Sequence, residues 1–252
     1  MNFSGKTVLI TGANGGIGLV IAKTFAAAGA DLMLACRQNI SAAEQLISKL
    51  EGPETNVSLH RFDASDEAQV EAEFASMAAA DQIPDVVINN AGAFPMVETL
   101  NMTAAQWDQV QASNLRSAFL CSRESIKLWQ TNERSGNIIG IASIAATLSQ
   151  QDITHYCAAK AGMVALNRNL AAEFGSDGIR VNTVSPGLVW RPSLQTDWPQ
   201  GVDKWKKTAP LGRVVQPDDV ANACLFLASD LANAITGIEL LVDAGISVSP
   251  AF

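Results

Sequence analysis

The chain contains a single tyrosine, Tyr156, and Lys160 follows it by four residues in the run Tyr156-Cys157-Ala158-Ala159-Lys160. On a helix this spacing puts a phenol and an ammonium on one face. An ammonium beside a phenol favours the phenolate, because an opposite charge stabilises the ionised form. Bringing a phenol from pKa ~10 to near neutrality takes roughly 3–4 kcal/mol. An ordinary helix surface would carry the same pattern. Ser143 ends the strand read over Ile138–Ala142, thirteen residues before the tyrosine, and could bring a hydroxyl to the same reacting oxygen. Serine at a strand end is also plain turn chemistry. Taken together, the three residues have the makings of a general acid/base site. The two histidines, His60 and His155, offer few parts for a zinc site, and His155 points elsewhere on the helix, as a structural residue would. Cys36, Cys121, Cys157 and Cys224 form no CxxC pair; they read as buried apolar fillers in a reducing compartment, and no metal is expected.

A second set of residues suits a phosphate-bearing ligand. Thr11-Gly12-Ala13-Asn14-Gly15-Gly16-Ile17-Gly18 follows the first strand and opens a helix. Such glycines let the backbone turn tightly against a pyrophosphate whose charge the helix N-terminus favours, although a turn that only packs helix on strand would look alike. Gly12, Asn14, Gly16, Ile17 and Gly18 are the candidate contacts. After the second strand, folds that prefer NAD place an acid for the ribose 2′-hydroxyl. Here Cys36 holds that place and Arg37 follows, able to fork onto a 2′-phosphate. NADP(H) is therefore the expected cofactor, with a solvated strand-end arginine as the alternative. Asp63, before Ala64, could accept the adenine amino group or cap the helix beginning near Asp66. In Asn89-Asn90-Ala91-Gly92, the residues Asn90, Ala91 and Gly92 would face the same crevice, or make an ordinary turn.

The elements that must hold these residues alternate. Short aliphatic runs occur at Thr7–Ile10, Leu32–Ala35, Val57–Phe62, Val86–Ile88, Ile138–Ile141, Ile179–Val184 and Glu239–Val242. Helical periodicity lies between most of them, at Gly16–Ala28, Ser41–Leu50, Glu67–Ala79, Thr103–Trp129, Tyr156–Phe174 and Pro217–Ala228. The pattern predicts an α/β fold of the Rossmann type, a doubly wound parallel sheet of about seven strands with helices on both faces. No linker or repeat divides the 252 residues, so one domain is expected over 1–252. Gly187 to Pro210 shows little periodicity and is a candidate substrate lid at about 188–210, or a surface excursion without a role.

Seventeen basic and 25 acidic side chains give a net charge of −8, which repels nucleic acid and anionic lipid. The N-terminal residues show neither a basic segment nor a long hydrophobic run, and a cytoplasmic location is expected.

In this order the motifs make the chain resemble the compact, single-domain branch of the short-chain dehydrogenase/reductase family, over nearly its whole length. Thr11 to Gly18 is similar to the family's TGxxxGxG turn and Asn89 to Gly92 to its NNAG element. Asn114 falls where the family keeps a helix asparagine that holds a water beside the lysine. Ser143, Tyr156 and Lys160 complete its tetrad, and Pro186-Gly187 matches the PG turn beside the nicotinamide, with Val189 among the cofactor contacts. The resemblance implies hydride transfer between NADP(H) and a small-molecule carbonyl or secondary alcohol. Tyr156 would then be the proton donor, Ser143 the polarising hydroxyl, Lys160 the ribose ligand and tuner of the phenol, and Asn114 the start of a water relay. It also implies a homotetramer built on the helices of Thr103–Trp129 and Tyr156–Phe174.

Two departures stand out. Arg191 occupies the place of a threonine that meets the carboxamide in many members, and Val242-Asp243-Ala244-Gly245 replaces the commoner VDGG. Trp190, Trp198 and Trp205 either offer aromatic surface to substrate or dock the lid. Trp190 and Arg191 are the candidate substrate contacts beside Ser143; Arg191 would pair with a carboxylate, contact a cofactor phosphate or stay solvated. Two other readings remain. A 3-oxoacyl-carrier-protein reductase needs a basic surface at the pocket mouth, and Asp177 sits where such enzymes tend to be basic. A regulator that senses NADP without turnover would leave the tetrad without a purpose.

Overall fold

A computed structural model describes residues 1–38, 50 and 55–248. Seven parallel strands form one sheet in the order β3-β2-β1-β4-β5-β6-β7. They are β1 (Thr7–Thr11), β2 (Asp31–Cys36), β3 (Val57–Arg61), β4 (Val86–Asn89), β5 (Gly136–Ile141), β6 (Ile179–Pro186) and β7 (Glu239–Val242). The strand order reverses between β1 and β4, so the connections leaving their carboxyl ends diverge and open a crevice there. The glycine turn leaves β1 and Asn90 to Gly92 leave β4 at this place.

Side chains alternate across the sheet and build two cores. Val8, Ile10, Leu34 and Ile88 pack on one face with Ile21 and Phe25 of α1 (Gly16–Ala27). Leu9, Met33 and Val87 pack on the other with Phe74 of α2 (Glu67–Ala79). This is the period of two expected of a strand covered on both sides. His60 of β3 bridges Ser58 at 2.8 Å and Glu73 of α2 at 2.7 Å, tying the edge strand to its helix. Asp66 caps α2 by accepting the Gln69 N–H at 3.1 Å. The capping role considered for Asp63 therefore belongs to Asp66.

The long helix expected over Thr103–Trp129 is interrupted. It runs as α3 (Ala104–Gln111), a wide turn over Ala112–Arg116, and α4 (Ser117–Thr131). Polar side chains compete for the helix carbonyls here: Ser113 Oγ and Asn114 Nδ2 both donate to Val110 O, and Ser117 Oγ donates to Ser113 O. The Ser117 N–H reaches back five residues to Ala112 O. Next comes α5 (Thr154–Phe174), two residues longer at its start than its periodicity suggests.

Gly187 to Pro210 is more ordered than its composition implies, holding α6 (Leu194–Asp197) and α7 (Pro199–Thr208). Pro199 opens α7 where its missing N–H costs nothing, and Val202 and Trp205 pack with Leu188, Leu194 and Val214. Then α8 (Pro217–Ala228) covers the face shared with α1. The expected helix Ser41–Leu50 lies, except for Leu50, outside the described residues.

Candidate active site

The end of β5 and the first turn of α5 bring three sequence candidates together. Ser143, just past β5, is extended, accepts the Ala145 N–H at 3.1 Å, and hydrogen-bonds the Tyr156 phenol. Lys160, one turn beyond Tyr156, is only 4% exposed and donates to Ile141 O at 2.7 Å. Its Nζ lies 5.5 Å from the centroid of the tyrosine ring. Phe94, which follows the Asn90–Gly92 turn, meets the same ring edge to face with centroids 4.8 Å apart.

Asn114 joins them from the wide turn. Its amide nitrogen donates to Ala93 O at 2.9 Å and Val110 O at 3.0 Å, while its carbonyl oxygen is buried with no partner among the described residues. A Cβ on Gly92 would stand 2.5 Å from that oxygen and 3.7 Å from Lys160 Nζ. Only a glycine lets the two polar groups share this space. A buried acceptor without a donor carries a desolvation cost that a bound water would relieve.

Burial dominates the titration here. It pushes the Tyr156 phenol up to about 12, with the Ser143 hydrogen bond pulling the other way. Burial also brings the Lys160 ammonium down to about 7. The spacing had suggested a phenol made acidic by its neighbouring cation. In the protein alone, loss of water outweighs that attraction and the ammonium is turned to a backbone carbonyl.

The glycine turn fits a dinucleotide. A Cβ on Gly18 would sit 2.4 Å from Gly12 O and 2.6 Å from Asn90 Nδ2, so the turn, α1 and the Asn90 loop touch with no room between them. Asn90 Nδ2 donates to Thr11 O and Gly12 O at 3.0 Å, and Thr11 Oγ1 accepts the N–H groups of Asn90 and Ala91 at 3.0 Å. Thr11 thus locks β1 to the β4 loop, a role its place in the motif did not reveal. Gly15 gives α1 no side-chain cap and the first turn has no acidic residue, leaving the amides near Gly16, Ile17 and Gly18 for an anion. Asn14 Nδ2 donates to Gln38 O at 2.5 Å.

Arg37 and Asp63, read separately from the sequence, form an ion pair at 2.9 Å. Burial works to raise the Asp63 carboxyl, but hydrogen bonds from Ser65 and Arg37 outweigh it and hold the group below its usual range. Ala64 is half-buried beside it.

Past Pro186, the Gly187 N–H bonds Val242 O at 2.9 Å, and Val189 pairs with Val215. The tryptophans divide. A Cβ on Gly187 would lie 2.8 Å from Trp205 Cζ2, so Trp205 docks α7 on the body. Trp190 and Trp198 are 43% and 49% exposed. Arg191 is bound within its own segment, to Asp197 at 2.6 Å and to Ser193. The short α6 brings Asp197 back beside Arg191, whose side chain stays 55% exposed. His155 is fully buried, accepts the Tyr156 N–H on Nδ1 at 3.0 Å, and through its carbonyl holds Gln111 of α3. That agrees with a structural residue.

Residues 12–247 match the family model described as Enoyl-(Acyl carrier protein) reductase. An oxidoreductase of Burkholderia thailandensis, described as of the short chain dehydrogenase/reductase family, superposes with a TM-score of 0.87 at 34% identity, over 97% of this chain and 93% of that one. The chain belongs to the short-chain dehydrogenase/reductase family. Among its relatives, this dehydrogenase/reductase is 36% identical over 247 residues to a D-threitol dehydrogenase of Mycolicibacterium smegmatis, covering 97% of this chain and 94% of the relative. It is also 36% identical over 248 residues to a 3-oxoacyl-[acyl-carrier-protein] reductase of Chlamydia trachomatis, covering 96% and 97%. Membership makes this short-chain dehydrogenase/reductase an oxidoreductase of alcohols or carbonyls that uses a nicotinamide cofactor. Among the described residues no helix is long and apolar enough to cross a membrane, and no group of three or more His, Cys, Asp or Glu could hold a metal ion.

Proposed function

We propose that this protein is an NADP(H)-dependent reductase of small-molecule carbonyls, reversible toward secondary alcohols, with Tyr156 as the general acid and base. The observation that carries the reading is the convergence of Ser143, Tyr156, Lys160 and the unpartnered Asn114 oxygen on one buried space. The nicotinamide, when bound, supplies or takes up the hydride. Ser143 hydrogen-bonds and orients the substrate oxygen as it does the phenol. Tyr156 keeps its proton at neutral pH, because burial holds the phenol near 12, and so stands ready to donate to the oxygen of a carbonyl being reduced. Lys160, near 7, is the partner able to return a proton at working pH, with Asn114 holding the water between it and solvent. The cofactor's ribose belongs beside Lys160, its pyrophosphate at Gly12 to Gly18, its adenine end near Asp63 and Ala64, and its nicotinamide beside Pro186, Gly187 and Val189.

NADP(H) preference rests on Arg37, which is 59% exposed in its side chain and follows Cys36, the residue that stands where an NAD enzyme carries an acid. The Asp63 carboxylate holds the guanidinium at the crevice edge, where a 2′-phosphate would meet it. The segment over 188–210 acts as the substrate lid, with Trp205 as its anchor and Trp190 exposed on it. Exposed Trp107 and Phe119 on α3 and α4 support assembly through these helices into a homotetramer. The net charge of −8 fits a cytoplasmic enzyme of small molecules.

The relative that reduces 3-oxoacyl carrier protein keeps that substrate in view, but Asp177, held by Gln130 at 2.8 Å, is a carboxylate where such enzymes tend to be basic. Spectrophotometric NADPH oxidation with diketones, ketosteroids, sugars and acyl thioesters tests the reading. Turnover of a free ketone supports it, preference for the thioester moves the function to the acyl-carrier reaction, and NADPH binding without any turnover leaves a cofactor sensor.

A further inference from the structure

Phe94 is the side chain packed directly on the Tyr156 ring, and it is 51% exposed. Its loop is fastened to the approach of α5 by the Val97 N–H, which bonds Asp152 O at 2.7 Å. The two tied segments carry further uncovered apolar side chains, Met96 at 62% and Leu148 at 37% exposure. Large apolar groups left in water beside a reacting phenol gain free energy when an apolar ligand covers them. The charges nearby point the same way. Lys160, the cation beside the phenol, is buried and donates to Ile141 O. Glu98 and Asp152, on the same two segments, are acids.

From this we infer that Phe94 is the specificity-determining wall of the site, selecting an uncharged ketone or secondary alcohol that carries an apolar, preferably flat, group next to the reacting carbon. The inference deepens the reading of Tyr156 as the proton donor and rests on it. A phenyl group seated against Phe94 gains burial and an aromatic pair, together worth about tenfold in kcat/KM over a methyl group. A carboxylate in the same place meets segments that carry the acids Glu98 and Asp152.

The experiment uses the full chain with saturating NADPH and three substrates: diacetyl, its phenyl-methyl analogue, and acetoacetate. For the wild type, kcat/KM should fall in the order phenyl diketone, diacetyl, acetoacetate. Phe94→Ala should lower the phenyl-to-diacetyl ratio by about tenfold, chiefly through KM, and Phe94→Leu should fall between. NADPH affinity, read by fluorescence, should stay within about twofold and shows that both variants are folded. Turnover that depends on Tyr156 but with a ratio unmoved by Phe94→Ala, or with acetoacetate preferred, overturns this proposal alone. Absence of Tyr156-dependent turnover for all three overturns the tyrosine reading and this proposal with it.

Discussion

Lys160 carries a stability cost that depends on pH in a calculable way. Its folded pKa, about 7, lies below the ordinary 10.5 because burial disfavours the ammonium. Between these values the unfolded chain binds more protons than the native one, so this group makes stability rise with pH across the window. Below the window both states are charged and the full cost, on the order of 5 kcal/mol, is present. Lys160→Met removes the titration while keeping most of the volume, and forfeits the hydrogen bond to Ile141 O, a loss of about 1–3 kcal/mol that does not vary with pH. Linkage then gives a change in the wild-type-minus-variant difference of on the order of 3 kcal/mol between pH 7 and 9.5, the wild type gaining as pH rises. Urea unfolding of the cofactor-free protein at equal chain concentration, at several pH values in that range, measures it directly. The upper limit keeps clear of Tyr156, whose raised pKa would lower stability only above its ordinary value of 10. A difference constant within about 0.5 kcal/mol would refute the claim that the fold desolvates this ammonium.

Three further outcomes follow from the geometry. Arg37→Ala should weaken NADPH binding about ten- to hundredfold and NADH binding within about threefold, measured by cofactor fluorescence, because only the former loses a charge-assisted bond. Gly18→Ala forces a Cβ to 2.4 Å from Gly12 O, so it should abolish detectable dinucleotide binding and cost about 1–3 kcal/mol in denaturant unfolding. Asn114→Ala should lower kcat by about tenfold or more with little change in KM, since it removes the acceptor facing Lys160 without touching the binding turn, and steady-state kinetics at saturating NADPH would show the split.

Much of the fold could be read from the chain because its causes are local. Two-sided burial makes each strand a continuous aliphatic run, and Val8, Leu9 and Ile10 show both faces within three residues. The glycine turn and the tyrosine–lysine spacing are likewise local, and the structure joins Ser143, Tyr156, Lys160 and Asn114 as those motifs suggested. What escaped depends on partners distant in sequence or on solvent. Arg37 and Asp63 lie 26 residues apart and meet only when β2 and β3 pair. Arg191 meets Asp197 only because α6 turns the chain back to it. The wide turn at Asn114 arises from three side chains bonding helix carbonyls, which no hydrophobic period records. Phe94 had no spacing to mark it, and its importance lies in the ring it touches. Finally, the four-residue spacing suggested an acidic phenol, whereas in the protein alone burial, a property of the assembled fold, sets the opposite direction.

The measurement closest to the centre of this account is the rate of ketone reduction by Tyr156→Phe, with NADPH binding determined on the same sample. Phenylalanine keeps the ring against Phe94 and removes only the hydroxyl that bonds Ser143. Reduction should fall by about a hundredfold to ten-thousandfold while NADPH affinity holds within about twofold. Reduction at the wild-type rate by a variant that still binds NADPH would contradict the account.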